Sequence, residues 1–595
     1  MDLTTDPCED FNQFVCGNWI RERQNETSDP DEASISMARE VTLLNRKKLV
    51  AILEHLNVSG LPETSFKYKL KRLFHLCLEY ETRQQDYSDD TRAHLAKIVQ
   101  DMGGWEIMGI PAKDNLIRDN SRDTLAYAMG FIVNRVNAIR IPFLHIAEFG
   151  GHLGIYEKHT MKDFNTTKLI QLFRKLNNDN SPNEKVLDSF EEIVSSYATV
   201  NETIAAYEQA SSVTTTELPL TDLYAMKGFN WKLFLETAIK GFGNLHNDML
   251  VVTADDLSEV SQHLGEIADS LSPEALLDFL KTQFLLELLP AEPEQPMNIS
   301  EAEEECRKQV DSNMGIGTSR VLMEAVIQKE SIPILALMNE AIFQEYREMF
   351  TSVPYFDAKL KQRFLDKLNT IQSRLVFPPL LYPEYAYDEY YSKLTIGDSF
   401  LESMSHLRQF YYKIFWQGIT RPWQLDADFG FGAGAINAYY LPEDNSYQLL
   451  DGHISPPYFS YYYPLQYNFG SVGHTIGHEI GHAFDPGSNS KTWNGVTEAL
   501  PDEVLKSLQE EYTCLEAMYD TLCVNYENST VCNNGTATLG ENFADQTGIW
   551  TAYRAYQKQK VTLELKQSIP GLEQFTTDQQ FFISLGRTMC GYFDE

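Results

Sequence analysis

The chain has 595 residues, 43% apolar, 12% aromatic and 23% charged, a composition that excludes a largely disordered or collagen-like protein. Asp and Glu number 85 against 49 Lys and Arg; the resulting formal charge of −36 repels phosphate backbones and excludes a nucleic-acid partner. No stretch reaches the roughly 18 apolar residues of a membrane-spanning helix, since the densest, Phe284 to Leu289, is short and interrupted by Glu287.

From Met1 to Cys8 the chain is polar and acidic, without the basic start and apolar stretch of a signal peptide, so no targeting segment is read there. Two other features place it outside the cell. Glycosylation acceptors of the form Asn-x-Ser/Thr recur at Asn25, Asn57, Asn165, Asn201, Asn298, Asn528 and Asn534. Eight cysteines run from Cys8 to Cys590 with no CxxC pair, which suits disulfides better than a zinc ribbon. A secreted chain or an ectodomain is expected.

Apolar residues at three- and four-residue spacing predict helix for most of the first 390 residues. In Ser272 to Leu289, Ser272 is the cap, Pro273 fits the first turn and Pro290 is the stop, with Leu276, Leu277, Leu280, Phe284 and Leu288 as the buried stripe. The acidic run Glu301 to Glu305 lacks the alternating ligands and glycine of a calcium loop and reads as a solvated helix face. Another helix follows Pro333, burying Leu335, Leu337, Met338, Ile342, Phe343 and Tyr346. From about residue 395 the texture shifts toward Gly and Tyr, with extended segments at Ala435 to Leu441 and Tyr447 to Leu450, which marks a domain boundary.

Gly477-His478-Glu479-Ile480-Gly481-His482 contains HExxH. Helical residues four apart share a face, so His478 and His482 can present two imidazole nitrogens to one Zn2+. Glu479 can reach water at the metal from the side instead of ligating. A catalytic zinc takes three protein ligands, and no histidine follows His482, which directs the search to carboxylates. Gly540-Glu541-Asn542-Phe543-Ala544-Asp545 opens a second helical stretch, in which Glu541 can ligate and Asp545, one turn on, can orient a ligand histidine. Gly477 and Gly481 weaken their helix by about 1 kcal/mol each, which close approach of another backbone would explain.

These residues resemble the neprilysin and endothelin-converting-enzyme family of zinc metalloendopeptidases. The likeness runs through Asp6 to Phe11, Val15 to Trp19, Ile436 to Tyr440, Gly452 to Phe459, Gly477 to Asp485 and Leu539 to Asp545, in the family's order, with weaker likeness between, as at Met226 to Trp231. It implies a mainly α, two-lobed ectodomain in which a thermolysin-like catalytic lobe with some β structure and a helical cap lobe enclose a central cavity. By position the catalytic lobe would be residues 1–35 plus 395–595, and the cap 36–394. The implied activity is zinc-dependent hydrolysis of oligopeptides before apolar residues, in a secreted protein or the ectodomain of a type II membrane protein. Glu479 and Asp545 would be catalytic, His478, His482 and Glu541 would hold one zinc, and Asn437 and Ala438 would align the substrate backbone as an added strand.

The family continues some forty residues past the motif that Met589-Cys590-Gly591 resembles, and its tail supplies a histidine and an arginine, whereas this chain stops at Glu595. Losing such a transition-state donor costs roughly 3 to 4 kcal/mol; the alternative expectation is therefore a catalytically impaired zinc-binding ectodomain that binds peptides or partners. The resemblance pairs Cys16 with Cys590 and Cys77 with Cys306, and it places the partners of Cys8 and Cys523 in the tail. Cys514 and Cys532 are extra: they bridge each other, or either takes Cys523, and spacing does not choose. His474 and Thr475 stand where relatives carry apolar residues, and Met589 where they carry Trp, which implies a broadened preference.

Overall fold

Helices carry most of the computed structural model, in keeping with the spacing of apolar residues along the chain. The structure describes all residues except 27–33, 84–88, 139, 150–151, 159–160, 179, 206–215, 248, 254, 289–296, 328, 376–382, 421–432, 443–444, 494–496, 527–528, 563–567 and 594–595. Leu289, Pro290 and the acceptor Asn528 thus lie outside the described residues. Among those described, no helix is long and apolar enough to cross a membrane.

Two compact units divide the chain: Met1–Lys71, Arg307–Glu389 and Asp426–Glu595 form the first, and Arg72–Cys306 with Tyr390–Leu425 the second. The units therefore do not part at residues 35 and 395, because the helix Ser331–Ser352 is tied to the HExxH segment. Its buried Tyr346 donates from Oη to the Gly477 carbonyl at 2.7 Å. Its fully buried Glu345 pairs with Arg554 at 3.0 Å and Lys558 at 2.6 Å on the helix Leu539–Thr562. Leu335, Met338, Ile342, Phe343 and Tyr346 are buried as expected, but Leu337 is 36% exposed.

In the second unit, Ser272 accepts from the Ala275 N–H and caps the helix Pro273–Leu288. That helix is buried on more than a stripe: Phe279, Thr282, Gln283 and Leu285 are also enclosed, while Leu277 is only partly so. The unit holds one element the helical reading passes over, a five-stranded sheet ordered 140–141, 144–149, 152–157, 250–253 and 216–219. Its strands have two to six residues, too short for their alternation to stand out, although Leu144, Ile146, Leu153 and Ile155 are buried in period two. Disulfide Cys77–Cys306 joins two residues of this unit, as the resemblance implies.

Disulfide Cys16–Cys590 lies in the first unit, as the resemblance implies. Cys523 departs from the expectation of a partner in a tail. Strands Cys523–Tyr526 and Ser529–Cys532 pair antiparallel with Cys523 opposite Cys532, and those two residues are bonded across the hairpin. Cys8 and Cys514 are exposed thiols.

The HExxH helix, His474–His482, crosses Leu539–Thr562 at backbone contact. A Cβ on Gly477 would lie 2.8 Å from the Gly548 carbonyl oxygen, one on Gly481 2.6 Å from Thr547 Oγ1, and one on Gly548 2.7 Å from the His478 nitrogen. Close approach is thus the reason for both glycines that weaken the helix. Ahead of the strand Ala438–Leu441, two buried acids hold the chain: Asp451 Oδ1 accepts from the Gly434 N–H at 2.6 Å, and Asp311 Oδ1 from Ala433 N–H at 3.2 Å and Thr318 Oγ1 at 2.6 Å. Burial pushes Asp451 up to about 7; the Gly434 bond opposes this and Asp311 adds to it.

Two outcomes follow from these contacts. In Gly548→Ala the added methyl meets His478 backbone that has no room to give, so thermal denaturation should show a loss of about 1–3 kcal/mol and a competition titration zinc binding weakened roughly 10- to 100-fold; unchanged affinity would refute the crossing's role. Between about pH 4 and pH 7 the folded protein keeps a proton on Asp451 that the unfolded chain has lost, so this group's contribution to stability falls as pH rises. Asp451→Asn keeps the acceptor for Gly434 and should be more stable than the parent at about pH 8, with a flatter melting profile down to about pH 5; parallel profiles would exclude the assignment.

Candidate metal centre and active site

Every residue singled out for the site lies in the first unit. The helix crossing sets His478, His482 and Glu541 facing one another, with one donor atom from each lying within 4.8 Å of the others. His478 Nε2 and His482 Nε2 are 2.9 Å apart, and Glu541 Oε2 stands 3.3 Å and 3.5 Å from them. Behind the imidazoles, His478 Nδ1 meets Asp545 Oδ1 at 2.8 Å and His482 Nδ1 meets Asp485 Oδ2 at 2.9 Å.

Those outer bonds settle the chemistry of the inner atoms. A carboxylate only accepts, so each Nδ1 carries the proton and each Nε2 presents a lone pair. Two lone pairs 2.9 Å apart, beside the exposed carboxylate of Glu541, repel unless a cation lies among them. The donor set fits Zn2+: two imidazoles and a carboxylate, with an outer carboxylate orienting each ring. Burial would raise Asp545, but its contacts with His474 and His478 outweigh that and hold it well below the usual carboxylate range. For His482, burial is outweighed only by the Asp485 bond together with the charges of Glu479, Asp485 and Glu541, which lift the imidazole above its ordinary value.

Glu479 is 3% exposed, and its Oε2 is buried with no hydrogen-bond partner among the described residues. Burial pushes it up to about 7; His478 and His482 oppose the shift and Glu541 adds to it. It lines a cavity of about 640 Å³ together with His478, His482, Glu541, Asp545, Asn437 and Ala438. Ala438 begins the strand Ala438–Leu441, which is the edge of a three-stranded sheet, and Asn437 stands exposed just before it. All seven expected site residues are therefore brought to one cavity.

The sequence reading missed Asp485 as a partner of His482, although its place three residues on, at the helix end, was available as a signal. It also missed His453, Tyr458 and Thr588 in the cavity wall, which no local pattern links to HExxH.

Residues 7–378 and 437–593 match models of Peptidase family M13. Over 636 residues the chain is 24% identical to Neprilysin-2 of Caenorhabditis elegans, spanning 99% of this chain and 83% of that protein. Endothelin-converting enzyme 1 of Cavia porcellus is 22% identical over 624 residues, with 99% and 80% covered. In fold, the Mycobacterium tuberculosis zinc metalloprotease ZMP1 in its open state is similar with a TM-score of 0.71 at 15% identity, covering 99% of this chain and 92% of that one. A histidine pair and carboxylate on crossed helices, set in a chain matched along nearly its whole length, make this protein a member of Peptidase family M13, the family of neprilysin and the endothelin-converting enzymes.

Proposed function

We propose that the protein is a zinc endopeptidase that hydrolyses oligopeptides outside the cell, with one zinc held per chain by His478, His482 and Glu541. The observation that carries this reading is the pair of Nε2 lone pairs facing Glu541 beside the buried, unpartnered carboxylate of Glu479. Zinc, when bound, supplies Lewis acidity that polarises the scissile carbonyl and makes water more acidic. Glu479 takes the proton from the attacking water and delivers it to the leaving amine, a role open to it because none of the described residues hydrogen-bonds its Oε2. Asp545 and Asp485 keep the ligand imidazoles in the tautomer that presents Nε2. Asn437 and Ala438, at the edge of their sheet, bind the peptide backbone in extended form. Exposed acceptors at Asn57, Asn165, Asn201, Asn298 and Asn534, with three disulfides, support the extracellular setting. The resemblance implies an apolar preference, and the polar groups that line the wall beside Glu479 weigh against it.

Zinc-loaded protein should cleave a mixture of short peptides, and a chelator should stop it. Glu479→Gln should keep its zinc while turnover falls roughly 100-fold or more; undiminished turnover would refute the role of Glu479. Peptide binding by the zinc-loaded parent without cleavage would favour the second reading, an ectodomain that binds peptides.

A further inference from the structure

The wall beside Glu479 is built from His453, Tyr458, His474, Thr475 and Thr588, with Met589 at its rim. Its hydrogen-bonding hydrogens are largely committed within the protein. His453 is 7% exposed and its Nδ1–H donates to the Asn437 carbonyl at 3.1 Å, so Nε2 holds a lone pair. Burial holds this imidazole down at about 4 and therefore neutral. Tyr458 donates from Oη to the Thr588 carbonyl at 3.2 Å, and the Thr588 hydroxyl donates to the Leu585 carbonyl at 2.8 Å, leaving oxygen lone pairs on both. His474, 6% exposed, has Nε2 3.5 Å from Asp545 Oδ1, with no closer polar partner. The Thr475 hydroxyl makes no hydrogen bond among the described residues.

Such a wall is poorly matched to hydrocarbon, which would leave its acceptors dry and unpaired. A carboxylate is excluded more strongly, because it brings no hydrogen to these lone pairs. A nitrogen donor suits them, and the chain's charge of −36 draws basic peptides toward it.

We propose that this wall receives a nitrogen-donor side chain, amide or basic, of a peptide residue flanking the cleaved bond, and that His453 is a specificity-determining residue for it. The inference rests on the cavity being the peptide site of the proposed function, but not on the protein being an active hydrolase. Its test is therefore binding, in zinc-loaded Glu479→Gln. Calorimetry with hexapeptides carrying Leu, Gln, Arg or Glu in turn at each of the two central positions should show, at one position, Gln and Arg bound about tenfold or more tighter than Leu, with Glu weakest. Adding His453→Leu should remove or reverse the advantage over Leu at that position with zinc content unchanged. Thr475→Val, a closer match in shape, should shift it the same way by a smaller factor, which keeps the test decisive if His453→Leu unfolds. Tightest binding of Leu or Glu, a ranking untouched by these substitutions, or no binding of any peptide would each overturn the inference. The expected ranking in a parent protein that cleaves none of the panel would support it and overturn only the hydrolase reading.

Discussion

The contact on which the site depends is a crossing of two helices so close that only glycine fits. His474–His482 and Leu539–Thr562 meet through Gly477, Gly481 and Gly548, where an added Cβ would run into the facing helix. Helix pairs ordinarily lie 8–10 Å apart, set by the side chains at the contact. Removing those side chains lets Glu541 and Asp545 reach imidazoles that the other helix presents. The cost in helix propensity at two positions is offset by surroundings that hold both helices from behind, through Tyr346 on the Gly477 carbonyl and Glu345 on Arg554 and Lys558.

Around that crossing, each part constrains the next. Asp545 and Asp485 fix the imidazole tautomers, the tautomers place two lone pairs together, and the lone pairs call for a cation. Glu479 lines the same cavity, and its buried Oε2 finds no hydrogen-bond partner among the described residues. The edge strand enters from another direction, and its approach is held by Asp451 and Asp311 on Gly434 and Ala433. His453 links the strand to the cavity wall, since its Nδ1 is bonded to the carbonyl of Asn437.

Local pattern was enough to single out the residues whose donor atoms the fold brings together, because four-residue spacing on a helix is itself a statement about geometry. It was enough, too, for the capped helix at Ser272 and for most of the buried face after Pro333. It failed where short range carries too little: the strands of the five-stranded sheet are two to six residues long, and the bond between Cys523 and Cys532 follows from hairpin register instead of from spacing. Leu337 fitted the helical stripe but lies where the fold leaves it 36% exposed.

By itself the sequence determined that His478 and His482 share a helix face, that Glu479 sits one residue off it, and that Glu541 and Asp545 lie one turn apart on another helix. These are consequences of helical period and need no knowledge of neighbours. Only the tertiary structure decided that the two helices touch at glycine, that Asp485 backs His482, and that His453, Tyr458 and Thr588 complete the wall beside Glu479. Residues so far apart in the chain have no shared period, and what brings them together is the burial of faces contributed by many segments at once.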